Sequence, residues 1–142
     1  GQTAESMNLD QDFPTSIEVQ LLGGVTGEGE RSTMNLCTPG TNVVMNDSLI
    51  EQHCIKSKSE TQLDDKWVTV EVEVRGGESF THYVEGEKVM YYEKPQLDPR
   101  DKTYEKLLPA DGNKIITKGT ISLQAESHNT DFRKIELLVL EE

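Results

Sequence analysis

A near-perfect alternation of apolar and polar side chains runs through Gly119-Thr-Ile-Ser-Leu-Gln-Ala-Glu-Ser-His128. Every second residue from Ile121 to Ala125 is apolar, which is the period of a β-strand with one buried face and one wet face. The polar positions carry an amide, a carboxylate and an imidazole: Gln124, Glu126 and His128. Side chains of these types, aligned on one face of a sheet, are suited to hydrogen bonding with the hydroxyl groups of a sugar.

The rest of the chain repeats this pattern in short segments separated by turn residues. Asn129-Thr130 separates the first strand from a second one, Asp131-Phe-Arg-Lys-Ile-Glu-Leu-Leu-Val-Leu140, and Glu85-Gly86 supplies the tight turn of a hairpin. Further strands are predicted at 16–22, 34–37, 42–45, 49–55, 66–75, 80–84 and 88–92. The proline-rich stretch 93–113 predicts a long loop with one helical turn near 104–108. These features predict an all-β fold, an antiparallel β-sandwich.

Length and charge limit the classes of function. A chain of 142 residues predicts one domain, for which we expect residues 13–142 to form the sandwich and the polar residues 1–12 to form a flexible segment. The formal net charge of −12 argues against nucleic-acid partners, because phosphate recognition needs a basic surface. No apolar run approaches the roughly 20 residues of a membrane span, so no membrane-spanning segment is predicted.

Five parts of the chain, in this order, carry a resemblance to a known family. They are Pro14-Thr-Ser-Ile-Glu-Val-Gln-Leu-Leu22, Asn35-Leu-Cys-Thr-Pro-Gly40, Lys66-Trp-Val-Thr-Val-Glu-Val-Glu-Val74, Tyr83-Val-Glu-Gly86, and Ile121-Ser-Leu-Gln-Ala-Glu-Ser-His128 with Phe132-Arg-Lys-Ile135. Together they resemble the 3-keto-disaccharide hydrolase domain over most of the chain. The most specific part is the closing Leu-Gln-x-Glu-x-His followed by Phe-Arg-x-Ile. The resemblance implies a concanavalin A-like jelly roll that acts on glycosides or 3-keto-glycosides.

The resemblance also bears on the cysteines, the compartment and the partners. The resemblance points to exported bacterial proteins and so implies a periplasmic or extracellular location. It therefore favours a disulfide between Cys37 and Cys54 over two free thiols. Family members usually have further strands before the segment 16–22, and a glycine at the position of Ser127. Those strands have no counterpart here, so the sandwich is expected either to be trimmed or to be completed by a second copy of the chain or by a partner chain.

Two carboxylates are the candidates for glycoside cleavage, which commonly uses one as acid and the other as base or nucleophile. Glu18 and Glu126 each lie on the polar face of a predicted strand, two positions from a glutamine. The glutamines, Gln20 and Gln124, are candidates for binding substrate hydroxyl groups. Solvated strand positions are the alternative interpretation of both carboxylates.

A 3-keto sugar permits a second route, because the ketone acidifies the neighbouring C–H bond. A single base, Glu126 or His128, would then start elimination of the leaving group, and water would add afterwards. Arg133 or a divalent cation such as calcium would stabilise the enolate. No metal-ligand set is predicted, since the acidic pairs at 10–12 and 64–65 match no cation-binding loop and are best interpreted as charged turns.

Non-catalytic functions remain open at this point. Trp67, the only tryptophan, is a candidate for stacking on a sugar ring, although packing under a loop is the alternative. A carbohydrate-binding module would use Trp67 without needing the carboxylates. An assembly domain would use neither feature and would form a stable oligomer.

Overall fold

The computed structural model describes residues 2–63, 65–126 and 129–140. Its strands are β1 (Glu18–Gln20), β2 (Asn35–Cys37), β3 (Thr41–Met45), β4 (Ser48–Ile50), β5 (Cys54–Ile55), β6 (Val70–Arg75), β7 (Ser79–Val84) and β8 (Glu87–Leu97). The helical elements of these residues are a 3-10 turn at Ala4–Ser6 and the short helix α1 at Tyr104–Leu107, which lies where one helical turn was predicted. No helix in the described part of the chain has the length and apolar character needed to cross a membrane.

The strands form two antiparallel sheets, which confirms the all-β sandwich. The smaller sheet has the order β1-β2-β5, and the larger has the order β4-β3-β8-β7-β6. Neighbouring strands along the chain mostly pair with each other, as in the hairpin of β7 and β8 around Glu85 and Gly86. Both of these turn residues have positive φ, which glycine adopts without steric cost and which two-residue hairpin turns require.

The core lies between the two sheets. One cluster joins Leu36 of the small sheet to residues of the large sheet; its buried members are Leu36, Val43, Met90 and Tyr92. Ile17 packs against this cluster, and Val19 packs against a second one built on Met34. Because odd-numbered residues of the first strand face the core, the intervening even-numbered residues face away from it.

A buried histidine connects the sheets through hydrogen bonds. The ring of His82 is fully buried, with Nδ1 2.9 Å from the carbonyl oxygen of Met34 and Nε2 2.9 Å from the hydroxyl of Tyr92. Burial lowers the pKa of His82 and raises that of Tyr92, since each charged form would lose hydration. Both ring nitrogens of His82 and the hydroxyl of Tyr92 therefore have hydrogen-bond partners while both side chains are uncharged. These hydrogen bonds hold β2 in place over the large sheet.

The strand β8 continues beyond its predicted end, through Pro95 to Leu97. The register to β3 shifts here, because Asn42 pairs with Gln96 whereas Val44 pairs with Glu93. β8 thus has one extra residue at this point, a bulge that accommodates a residue without a backbone N–H. The predicted loop over 93–97 is wrong for this reason.

Of the predicted strands at 119–128 and 131–140, the described residues 119–126 and 131–140 do not form strands. The described residues after Leu97 contain one bridge, between Gln96 and Ile115, and no strand. Apolar side chains of both segments are exposed, as in Ile121 at 82% and Leu138 at 80%. Alternation predicts a strand correctly only if a neighbouring strand accepts its backbone hydrogen bonds, and the described residues supply none there.

Candidate functional site

The polar face of the small sheet positions the first candidate residues. Glu18 lies opposite Cys37 and Gln20 lies opposite Asn35 in the β1–β2 register. All four side chains share one face, because directly paired residues of an antiparallel ladder project to the same side. This face points away from the core and forms the floor of the candidate site.

A disulfide between Cys37 and Cys54 crosses this floor, as the sequence analysis predicted. The two cysteines are directly paired between β2 and β5, with their Cα atoms 4.2 Å apart. The backbone N–H of Thr38 donates to the carbonyl oxygen of His53 at 2.9 Å, continuing the ladder beyond the disulfide. The cross-link therefore holds His53 beside the face that carries Glu18.

The electrostatics of Glu18 show which charged groups surround it. Its pKa is raised, first by partial burial and second by the negative charge of Glu126, while the charge of His53 acts in the opposite direction. The charges of Glu126 and His53 therefore act on Glu18 through space. The amide of Gln124 donates to Oε2 of Glu126 at 3.0 Å and orients this carboxylate.

The amide of Gln20 is held by the neighbouring strand. Asn35 donates from Nδ2 to Oε1 of Gln20 at 3.3 Å, and Oδ1 of Asn35 accepts the backbone N–H of Ser57 at 2.9 Å. Gln20 is only partly buried. With its oxygen already accepting a hydrogen bond, its NH₂ group is oriented for an acceptor on a ligand.

Trp67 and Arg133 contact each other. The guanidinium carbon of Arg133 lies 4.0 Å from the ring centroid of Trp67, a cation–π contact. Trp67 is 51% exposed. The guanidinium covers one face of the indole ring, so stacking on a sugar would use the other face.

Two further sequence predictions lie partly or wholly outside the described residues. His128, a candidate base, is one of them, and so is Asp64 of the acidic pair at 64–65. Within the described ranges, no group of three or more histidine, cysteine or acidic side chains is arranged to hold a metal ion.

The sequence analysis missed His53. Its sequence context, a loop histidine before a cysteine, carries no functional pattern. The signal that would have revealed it is the disulfide combined with register: Cys54 pairs with Cys37, and Cys37 pairs with Glu18. Residues adjacent to the cross-link are thereby close to the carboxylate.

The charge coupling at Glu18 leads to a testable prediction. We expect Glu126→Gln to lower the pKa of Glu18, because a negative neighbour is removed, and His53→Gln to raise it. The pKa of Glu18 can be followed by carboxyl ¹³C NMR titration of each variant. Glu136→Gln is the control, since it removes an exposed carboxylate that does not contribute to the raised pKa of Glu18. An unchanged Glu18 titration in both site variants would contradict the proximity of the three groups.

The chain matches the model of a known protein family. The family model described as the 3-keto-alpha-glucoside-1,2-lyase-like domain matches residues 2–138. The chain belongs to this family. The resemblance on which the sequence analysis relied is thus confirmed, and the domain has a carbohydrate-related affiliation. No curated protein and no solved structure gives a significant match.

Proposed function

We propose that this lyase-like domain cleaves 3-keto-glycosides by elimination, followed by addition of water. The observation that carries the proposal is that Glu18, on the polar face of the small sheet, is partly buried and has a raised pKa, to which the negative charge of Glu126 contributes. Two carboxyl groups with different surroundings can act as an acid and a base at the same pH. The family match supports glycosides that carry a 3-keto group.

The two residues have complementary roles in the proposed reaction. Glu126 removes the proton from C2, which the C3 ketone has acidified. The electron pair of that bond forms the C1=C2 double bond while the C1–O bond breaks. The departing oxygen takes a proton from Glu18, the proposed acid, whose carboxyl has the raised pKa.

Addition of water completes the proposed cycle. As the water oxygen bonds to C1, the ionised Glu18 accepts one of the water protons. Protonated Glu126 exchanges its proton with solvent and delivers a solvent proton to C2. Both carboxyl groups regain their starting states, and the net reaction is hydrolysis. Gln20 and Gln124, each two positions from a carboxylate, are the proposed partners of substrate hydroxyl groups. His128 and Arg133 stay proposals for proton transfer and enolate stabilisation.

Deuterium incorporation tests this proposal. Turnover of methyl 3-keto-α-glucoside in D₂O is expected to place one solvent deuterium at C2 of the product, read by ¹H NMR. The unoxidised methyl α-glucoside is expected to be inert, because its C2–H bond is not acidified. A product without deuterium would indicate direct displacement by two carboxylates instead. If neither glycoside is turned over, with or without added calcium, the result would contradict an enzymatic function.

The disulfide supports an oxidising compartment, the periplasm or the cell exterior, as the site of action. Disulfides persist in such compartments and are rare in the reducing cytosol. Fractionation of cells producing the full-length protein, with the thiol state of Cys37 and Cys54 read by alkylation, tests this location.

Assembly with another chain is a second candidate function, and it is favoured by one specific observation. The last described segment exposes a run of large apolar side chains: Ile135, Leu137, Leu138 and Val139. A contiguous exposed apolar run is typical of surfaces that become covered in an assembly. A second copy of the chain or a partner chain would cover it by adding a strand.

Solution mass measurement tests the assembly. We expect light scattering coupled to size-exclusion chromatography to show an oligomer for the wild type and a shift towards monomer for Leu137→Asp. Leu9→Asp is the matched control, because Leu9 is fully exposed and lies outside this run. A monomer at every concentration would contradict self-assembly. Assembly would then require a partner chain.

A further inference from the structure

The strand β6 leaves one edge of the large sheet open. It is the last strand in the order β4-β3-β8-β7-β6, and in the described part of the chain it pairs only with β7. It spans Val70–Arg75 and contains no proline or glycine that would hinder pairing with another strand. An open edge of this length presents a row of backbone N–H and C=O groups to a further strand.

The hydrogen bonds on the β7 side show which backbone groups of β6 point to the open edge. The carbonyl oxygen of Thr69, just before β6, accepts the backbone N–H of Glu85 at 2.9 Å, and the carbonyl oxygen of Arg75 accepts that of Glu78 at 2.9 Å. The odd-numbered residues therefore direct their backbone groups towards β7. Because this direction alternates along a strand, the backbone groups of the even-numbered residues point to the open edge. These residues are Val70, Val72 and Val74.

The same edge exposes apolar side chains on the core side of the sheet. Val72 lies opposite the fully buried His82, and Val74 lies opposite Phe80, which packs against the core. Because paired residues project to the same side, both valines face the core side as well. They are nevertheless 41% and 45% exposed, since the sheet ends at β6. A strand added at this edge would cover them.

The outer side of β6 carries charges of both signs. Glu71, Glu73 and Arg75 alternate with the valines. Arg75 donates from Nε to Oε1 of Glu73 at 2.7 Å, and about half of the arginine side chain is exposed. A guanidinium has five N–H donors, so the Nη groups can bind a second carboxylate while Nε holds Glu73. The strand thus carries both members of an ion pair that a second β6 could complete.

Charge and side-chain direction select one register for an antiparallel pair of β6 strands about a two-fold axis. Opposite residues must project to the same side, so the two registers that pair most of the strand have Val72 or Glu73 at the axis. With Val72 there, Glu71 would face Glu73 of the other copy, a repulsive pair. With Glu73 there, each Glu71 faces Arg75 of the other copy. Val72 then faces Val74, so the exposed valines cover one another and their backbone groups form the new ladder. Glu73 faces its counterpart, but each is neutralised by Arg75 of its own chain.

We propose that two copies of this chain associate through β6 and extend the large sheet into one continuous sheet, with five strands from each copy. Two ion pairs between Glu71 and Arg75 fix the register. This surface is separate from the apolar run at 135–139 and from the polar face of the small sheet, so the proposal does not depend on either candidate function. One strand pair makes a small interface, and the dissociation constant is therefore expected in the micromolar range.

Exchange of the two charges tests this interface. Analytical ultracentrifugation over a concentration series measures dimerisation, with Leu137→Asp in every chain to remove any contribution of the apolar run. Glu71→Arg and Arg75→Glu are each expected to weaken the dimer about tenfold or more, because like charges then face each other twice. An equimolar mixture of the two variants is expected to restore the affinity, since every pair across the axis is again of opposite charge. Glu105→Arg is the matched control, with the same change of charge on α1.

Three outcomes would overturn the β6 interface. The first is a monomer at every concentration for the chain that carries Leu137→Asp alone. The second is a dimer of either single variant as tight as that of the Glu105→Arg control. The third is failure of both the mixture and the double variant Glu71→Arg with Arg75→Glu to restore a weakened dimer, which would trace the weakening to folding or to net charge. Turnover of keto-glycosides tests the proposed function separately and does not bear on these outcomes.

Discussion

Glu126→Gln is expected to reduce turnover of a 3-keto-glycoside by about 10²–10⁴-fold, the usual contribution of a general base. An amide at this position has nearly the same shape but cannot accept the C2 proton. Binding of the substrate is expected to remain, because the glutamines beside both carboxylates are unchanged. Steady-state kinetics and calorimetry with the same keto-glycoside give the two quantities separately.

Controls for this experiment are available in the chain. Glu136→Gln removes an exposed carboxylate that does not contribute to the raised pKa of Glu18, and it is expected to leave kcat unchanged. Glu18→Gln is expected to slow all substrates, because Glu18 also accepts the proton of the added water, and to slow most those with poor leaving groups, whose departing oxygen it protonates. Full activity of Glu126→Gln, or equal loss of binding and turnover, would contradict the assignment of Glu126 as the base. Binding that survives there but is lost in Trp67→Ala would indicate a carbohydrate-binding module.

Removal of the disulfide is expected to cause the largest loss of stability. The cross-link closes a loop with a sequence separation of 17, so the double variant Cys37→Ala with Cys54→Ala is expected to lose about 3 kcal/mol of unfolding free energy. The reason is that the unfolded chain gains conformations that the cross-link excluded. Urea unfolding followed by circular dichroism measures the change in midpoint and slope.

A reducing agent provides the control for this prediction. Dithiothreitol is expected to destabilise the wild type by a similar amount and to leave the double variant unaffected. The Glu18 titration is expected to lose its response to His53→Gln in the double variant, since the disulfide holds the histidine beside that face. If the double variant were as stable as the wild type, the disulfide would contribute nothing to stability beyond the pairing of β2 with β5.

The strands could be predicted where alternation coincides with pairing to a neighbour along the chain. The hairpin at Glu85 and Gly86 is such a case, because its turn residues and both flanking strands are local in sequence. β8 exceeded its predicted length because a bulge beside Pro95 depends on β3, which is distant in sequence. The strands predicted after Gly119 are absent from the described residues, since the same pattern finds no ladder partner there.

The candidate site divides in the same way. Glu18 and Glu126 were selected because each occupies the polar face of an alternating segment, a property of local sequence. Their charge interaction, that of His53 with Glu18 and the stacking of Arg133 on Trp67 depend on how distant segments are placed. A cleft lined by Phe13, His53 and Arg100 is formed by four separate segments of the chain, so no local pattern indicated it.

The sequence by itself determined the period of the strands, the acidic surface, the pair of cysteines and the family, because each is written in residue types and their spacing. Tertiary structure decided which charges act on Glu18, which strands the disulfide joins and which segments line the cleft that contains His53. Register and sheet packing set these distances, and both arise from free energies summed over contacts that residue order alone does not specify.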